Sequence, residues 1–292
     1  MTLASCDSRK TAGENPFFTE WDTPHGVPPF DKILPEHFMP AFERGMSLHE
    51  AEIDAITSNK DEATFENTIL AYDDAGQMLA QTELVFGMLC AAETNDRMQA
   101  LQEQAMPLLA AHRDKIRLDD KLFVRVKEVY DRRAALGLDA EQMRLLQKTY
   151  DSFVRAGALL DAEQKARLKE INGQLSLTAV KFGNNILAEN NNFVLELKSD
   201  ELDGLPAGIR DAAREKAQQM GKGDKWVFTL HKPSLIPLLT YSTRRDLREK
   251  IYKAYLNRCN NGDEYDNKQL INDFIRLSLI HISEPTRPLY IS

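Results

Sequence analysis

The sequence predicts a mainly α-helical fold that carries one small two-stranded β ribbon. Three observations lead there. First, apolar side chains between residues 41 and 277 recur mostly in steps of three and four, the repeat that lines one face of a helix. Second, LDAEQ occurs at 138–142 and again at 160–164. Each copy sets a glutamine three residues after an aspartate, the reciprocal pair of a capping box. The two copies diverge afterwards, so they read as one start signal used twice and not as a structural repeat. Third, only two short runs alternate instead, Phe193-Leu195-Leu197 and Trp226-Phe228-Leu230. Both favour strands.

The longest helical stretch is 161–189. Asp161 stands at the N-cap, Gln164 three residues on, and Leu168, Ile171, Leu175, Ala179, Phe182 and Ile186 form its apolar stripe. Such a stripe is buried only where other helices lie against it. Those helices are read in order. Residues 15–40 hold six prolines and form an irregular arm, anchored by Phe17, Phe18, Trp21 and Phe30. Residues 41–58 carry Phe42, Met46, His49, Ile53 and Ile56. Residues 64–91 carry Phe65, Ile69, Tyr72, Gly76, Leu79, Glu83, Phe86 and Cys90, with Gly76 placed to admit a crossing helix. Residues 96–116 show Met98, Leu101, Ala105, Leu108 and His112, with a kink expected near Pro107. Residues 120–135 end before Gly137, and 139–158 carry Leu146, Tyr150 and Phe153.

Beyond the long helix, the two alternating runs bracket a helix at 206–219, with Pro206 at its first position and Gly221 past its end. A ribbon of two strands is marginal alone and must pack on helices. A short apolar turn or helix at 234–240 follows, then a helix at 243–258, a polar loop Asn260 to Asp263, and a last helix at 264–277.

Composition narrows the function. The chain has 292 residues, a net charge of −8, 42% hydrophobic and 28% charged residues. That is a globular composition. Basic residues are interleaved with acidic ones, and aromatic residues are sparse, which argues against a nucleic-acid partner. Three cysteines, Cys6, Cys90 and Cys259, show no CxxC spacing, so neither a disulfide framework nor a zinc ribbon is indicated. No apolar run is long enough to cross a membrane. The N-terminal string Leu3-Ala4-Ser5-Cys6 is similar to a bacterial lipobox and makes Cys6 a candidate lipidation site. On that reading the protein is held at the cell envelope or in the periplasm, with membrane contact only through Cys6. Otherwise the string is a ragged N-terminus and the protein is cytoplasmic.

No catalytic, cofactor-binding or metal-ligating residue is assigned. A helical zinc site needs two histidines four residues apart with a glutamate beside the first. His49-Glu50 begins such a motif, but residue 53 is isoleucine. The other histidines, His25, His37, His112, His231 and His281, are too far apart in sequence to share a helix face. Neither a glycine-rich phosphate loop nor GxSxG is present. Cys90 reads as core, Asp73-Asp74 as solvated, and Arg244-Arg245 as a solvated face or a carboxylate site.

Several strings carry a resemblance. ILPEHFMPAFERGM (33–46), FENTILA (65–71), GALLDAEQKARLKEINGQLSLTAVKFGNNIL (157–187) and DLREKIYKAYLNRCNNGDEYDNKQLINDFIRL (246–277) resemble the N-terminal half of bacterial peptidyl-dipeptidases of the thimet oligopeptidase family. The last string is the most telling, with an arginine–aromatic helix, a GxxxDN-like loop and another helix. The resemblance covers residues 15 to 276. It implies an elongated multi-helix lobe, truncated before the catalytic half and forming one wall of a channel, with the strand-bearing part at 192–230. It implies oligopeptide substrates, release of C-terminal dipeptides, and zinc in the full-length protein held by an H-E-x-x-H motif that no position here matches. A fragment of this kind is expected to be inactive and to bind no catalytic zinc. A non-catalytic helical scaffold for peptides or proteins is the alternative.

The domain order expected is therefore a signal remnant or linker at 1–14, a proline-rich arm at 15–40, a helical lobe at 41–276 and an artefactual tail at 277–292. Residues 277–287, LSLIHISEPTR, match the in-frame translation of a transposase-type sequencing adapter, and helical periodicity is expected to stop there. The helix before it is expected to expose Phe274 or Ile275.

Overall fold

A computed structural model describes residues 15–92 and 94–283, the side chains of 279–283 excepted. Cys6 and residues 284–292 lie outside them. The described residues divide into two units, 15–177 with 278–283, and 178–277.

The first unit begins with the arm. Asn15 receives the N–H of Phe17 on its Oδ1 at 3.1 Å and donates from Nδ2 to the carbonyl of His37 at 2.8 Å. Trp21 donates its indole N–H to the carbonyl of Pro16 at 2.8 Å. Phe17 is buried, and Phe18 and Trp21 pack on the same cluster. Phe30 is exposed, so it does not anchor the arm as expected. Helix α1 spans Phe38–Ser58, three residues earlier than its apolar repeat indicated. Pro40 falls in its first turn, where a missing N–H leaves no bond unmade.

The single helix expected at 64–91 is broken. A wide π turn, Phe65–Leu70, leads into α2, Ala71–Asp73, and α3 follows at Gln77–Ala92. Gly76 stands between them at φ +77°. A side chain there would lie 2.8 Å from Nδ1 of His49. Gly76 therefore turns the chain against α1 instead of sitting in a helix seam. Helices α4 (Asp96–Arg117), α5 (Asp120–Asp131) and α6 (Ala140–Arg155) follow. Asn95, Asp119 and Asp139 cap their N-termini, each cap contributing about 1 kcal/mol. Helix α4 buries Leu109 and leaves Leu108 exposed, the reverse of the sequence assignment. Gly137 stands at φ +65° beyond α5.

Helix α7, Ala162–Asn192, is the long element, and the unit boundary falls inside it. Both LDAEQ copies form the reciprocal box: Asp139 with Gln142, and Asp161 with Gln164. The apolar stripe of α7 is buried only at Leu168 and Ile171; Ala179 and Phe182 are exposed. Polar contacts hold the second half of the helix instead.

Two apolar clusters fill the first unit. One joins the arm, the start of α1, α3 and α4 through Phe17, Phe38, Phe42, Phe86 and Leu109. The other joins the end of α1, the 63–73 segment, α5 and α6 through Ile53, Ile69, Val126, Leu146 and Phe153.

In the second unit, β1 (Leu195–Leu197) pairs antiparallel with β2 (Trp226–Phe228), Glu196 opposite Val227. The ribbon expected at 192–230 is thus present, three residues to a strand. Helix α8, Ala207–Gln219, uses Pro206 as its N-cap, not as its first residue. Helices α9 (Lys232–Tyr241) and α10 (Arg245–Leu256) follow in this unit, and α11 (Lys268–Ser283) begins in it and crosses the unit boundary after Leu277. Leu195 and Leu197 of β1 and Phe228 of β2 share one core with α8, α9 and α10.

The expected loss of helix at residue 277 does not occur: α11 continues to Ser283. The string LSLIHIS contains neither proline nor glycine, and Pro285 is the first residue that opposes a helix there. Phe274 and Ile275 are exposed, as the sequence indicated, together with Ile271.

Candidate functional site

Each candidate read from the sequence has its own local surroundings. Ile53, which stands where a second zinc-binding histidine would be needed, is buried in the core. An imidazole there would face the packed interior and not a metal. Asp73 and Asp74 are exposed. Arg244 binds Asp246 through two hydrogen bonds, 3.0 and 2.8 Å, so this guanidinium is already paired with a carboxylate of its own helix. Burial pushes the Cys90 thiol up to about 11. Burial, with the Glu189 carboxylate beside it, does the same for Cys259, also about 11. Neither is a thiolate nucleophile at neutral pH.

The structure does bring together two histidines that sequence spacing kept apart. His49 of α1 and His112 of α4 face each other, Nδ1 to Nε2, at 3.0 Å. His112 is buried. Its Nδ1 has no hydrogen-bond partner among the described residues, and the nearest carboxylate oxygen, Oε1 of Glu50, lies 3.5 Å away. Glu50 is held in turn by Lys115 at 2.8 Å. Glu52 receives the N–H of Gly76 at 2.7 Å. Burial, above all, pushes both rings below the ordinary histidine value.

Two buried cations, Arg125 and Lys165, were not singled out by the sequence. Arg125 donates to the carbonyls of Asn59 and Asp61 and to Oδ1 of Asn67, tying α5 to the loop after α1. Beside it lies an open depression of about 520 Å³ with mixed charge, lined among others by Lys60, Asp61, Lys121 and Glu128. Lys165 reaches the carboxylate of Asp120 from the start of α7. Its clue was position: it stands three residues before Leu168, on the apolar stripe.

In the second unit the GxxxDN-like loop has a structural explanation at each named position. Gly262 stands at φ +73° and donates its N–H to Asp266 at 2.8 Å. Asp266 also receives the N–H and the ammonium of Lys268, which together hold its carboxyl at about 2. Asn267 is buried. Its Oδ1 receives Nδ2 of Asn185 at 2.8 Å, and its own Nδ2 donates to the carbonyl of Phe182 at 3.2 Å. Glu189, one turn further along α7, receives the N–H of Cys259 at 2.7 Å and the amide of Asn261. The loop is thereby fastened to the second half of α7. Asn267→Ala removes two of these bonds and orphans the Asn185 amide. A loss of about 1–3 kcal/mol is expected, measured as the shift in urea unfolding of the second unit.

Among the described residues no group of three or more His, Cys, Asp or Glu side chains could hold a metal ion, and no helix is long and apolar enough to cross a membrane. The histidine, cysteine and carboxylate donors among the described residues do not fit a zinc site. What the polar clusters do is fasten helices and loops to one another.

A mainly helical chain with a small ribbon and an anchored GxxxDN-like loop can now be set beside known proteins. No protein-family model matches it. It is 35% identical over 264 residues to the dipeptidyl carboxypeptidase of Escherichia coli (strain K12), covering 90% of this chain and 39% of that protein. It is 33% identical over 264 residues to the dipeptidyl carboxypeptidase of Salmonella typhimurium, with the same coverage. To the oligopeptidase A of Escherichia coli it is 25% identical over 260 residues, covering 87% of this chain and 38% of that protein. The chain is therefore a relative of peptidases. Within that class its relatives are the dipeptidyl carboxypeptidases and oligopeptidases A of the thimet oligopeptidase family. It spans about two fifths of their length, 38–39% in these three comparisons.

Proposed function

We propose that this chain is the helical lobe of a zinc-dependent peptidyl-dipeptidase, an enzyme that releases C-terminal dipeptides from oligopeptides, and that it forms one wall of the substrate channel. The observation that carries this reading is the difference in identity: 35% to a protein named dipeptidyl carboxypeptidase, against 25% to one named oligopeptidase A, over similar lengths. The site inventory supports a division of labour. The buried polar groups of both units are engaged in holding helices and loops, and the sequence contains no H-E-x-x-H string. On this reading the lobe contributes shape, and the zinc chemistry belongs to residues outside this chain.

The test compares the product of the complete source gene with residues 1–292 alone, on an unmodified oligopeptide and on the same peptide amidated at its C-terminus. The complete product is expected to release dipeptides stepwise from the free C-terminus and to lose that activity with a chelator. Residues 1–292 with added zinc are expected to release none. Chelator-sensitive cleavage by residues 1–292 overturns the division of labour. Release of single residues, or internal cleavage alone, by the complete product overturns the dipeptidase reading.

A further inference from the structure

We propose that the His49–His112 pair is an acid-labile clasp between α1 and α4, which holds the first unit together while both rings are neutral and lets go when both are protonated. The geometry carries the argument. The facing nitrogens are 3.0 Å apart. At that distance one must carry the hydrogen and the other must accept it. Two neutral rings satisfy this, and so does a pair sharing one extra proton. A doubly protonated pair cannot, because each facing nitrogen then bears a hydrogen and none remains to accept. Two positive charges would also stand in contact inside a largely buried site.

The turn before α3 packs against the His49 ring: a Cβ on Gly76 would lie 2.8 Å from its Nδ1. The N–H of Gly76 is held by Glu52. The charged groups facing the pair are Glu50 and Glu52 of α1, Glu83 of α3 and Lys115 of α4. Glu50 is paired with Lys115, and Glu83 with Arg113 at 3.2 Å. Glu50, whose other oxygen takes Lys115, stands 3.5 Å from Nδ1 of His112 and can hold one imidazolium, and Glu83 is engaged by Arg113, so the second positive charge has no such partner among these groups. Burial lowers the proton affinity of both rings.

The direction of the pH effect follows. The unfolded chain takes up protons on both histidines as pH falls through about 6.5, the ordinary value, while the folded pair resists until lower pH. In that window the unfolded state binds more protons, so stability rises with pH and is lost on acidification. The contribution is present above about pH 6.5 and falls away below it.

The two tryptophans provide the readout. Trp21 is in the first unit and Trp226 in the second. In full-length Trp226→Phe protein, Trp21 reports the first unit alone. Urea unfolding between pH 7.5 and 5 is compared with and without His49→Gln, which can still accept a hydrogen bond from His112. Without the substitution, unfolding is expected to take up about one proton more. The unfolding constant then climbs about tenfold more steeply per pH unit below the ordinary value. Equal slopes overturn the clasp, since they would mean that His49 binds its proton equally well in the folded and the unfolded chain. If His49→Gln does not fold, ring titration of the unsubstituted protein by NMR decides. The pair must show a protonation step below the ordinary histidine value. All six titrating near the ordinary value overturns the clasp.

Discussion

Phe86→Ala is expected to destabilise the first unit by about 3–5 kcal/mol. Phe86 is 2% exposed on α3. Its ring meets Phe38 at 4.9 Å and Phe42 at 5.3 Å between centroids, both edge to face. Phe38 in turn meets Phe17 of the arm at 5.3 Å. Removing the ring therefore opens a cavity where the arm, α1 and α3 converge, and it removes two aromatic pairs worth about 0.5–1.5 kcal/mol each beyond the buried area. Urea unfolding followed at Trp21 in the Trp226→Phe background measures the loss. Leu84→Ala is the control: two residues away and 65% exposed, it is expected to stay within about 0.5 kcal/mol of the parent. Equal losses for the two would mean that α3 does not pack as described.

Gly204→Ala is expected to cost the second unit about 3 kcal/mol or more. Gly204 stands at φ +80°, a conformation that costs an L residue about 1–2 kcal/mol by itself. The added Cβ would lie 2.3 Å from the carbonyl oxygen of Tyr241 and 3.0 Å from the backbone nitrogen of Thr243. The 241–243 segment would have to move. That segment is held by the Thr243 N–H donating to the carbonyl of Asp203 at 3.1 Å and its hydroxyl donating to the Asp203 carboxylate at 2.7 Å. Unfolding followed at Trp226 in a Trp21→Phe background measures the cost. Gly208→Ala is the contrast. No atom beyond its own helix and chain neighbours lies within 4 Å of a Cβ there, and removing a helical glycine is expected to gain about 0.5–1 kcal/mol.

Both substitutions mark where sequence reasoning reached its limit. The three- and four-residue steps placed Phe86 on the buried face of its helix, because burial of one face is a periodic property of the chain. The same steps ran straight through Gly76, because a period does not register a turn that depends on a ring from α1 standing beside it. Gly204 left no trace at all: its requirement comes from a carbonyl nearly forty residues away.

The candidate site divides in the same way. The lack of a helical zinc motif was legible, since that motif needs fixed spacing within one helix. His49 and His112 are 63 residues apart, and only the packing of α1 on α4 makes them a pair. The GxxxDN-like loop was recognisable as a string, but the partners of Asn267 and Glu189, and hence the reason for the string, are tertiary.

What the sequence determined by itself was local or composite. The helix starts at Asp139 and Asp161, the two strands, the helical class and the kinship with peptidases were all readable there. Caps and periodicity act within a few residues, and an ordered set of strings survives divergence. The tertiary structure alone decided which polar groups meet, where the long helix exchanges its apolar stripe for asparagine and glutamate contacts, and that α11 runs on to Ser283. Those outcomes depend on the distance between groups remote in sequence, or on the balance between weak helix-forming preferences and the absence of any proline before residue 285.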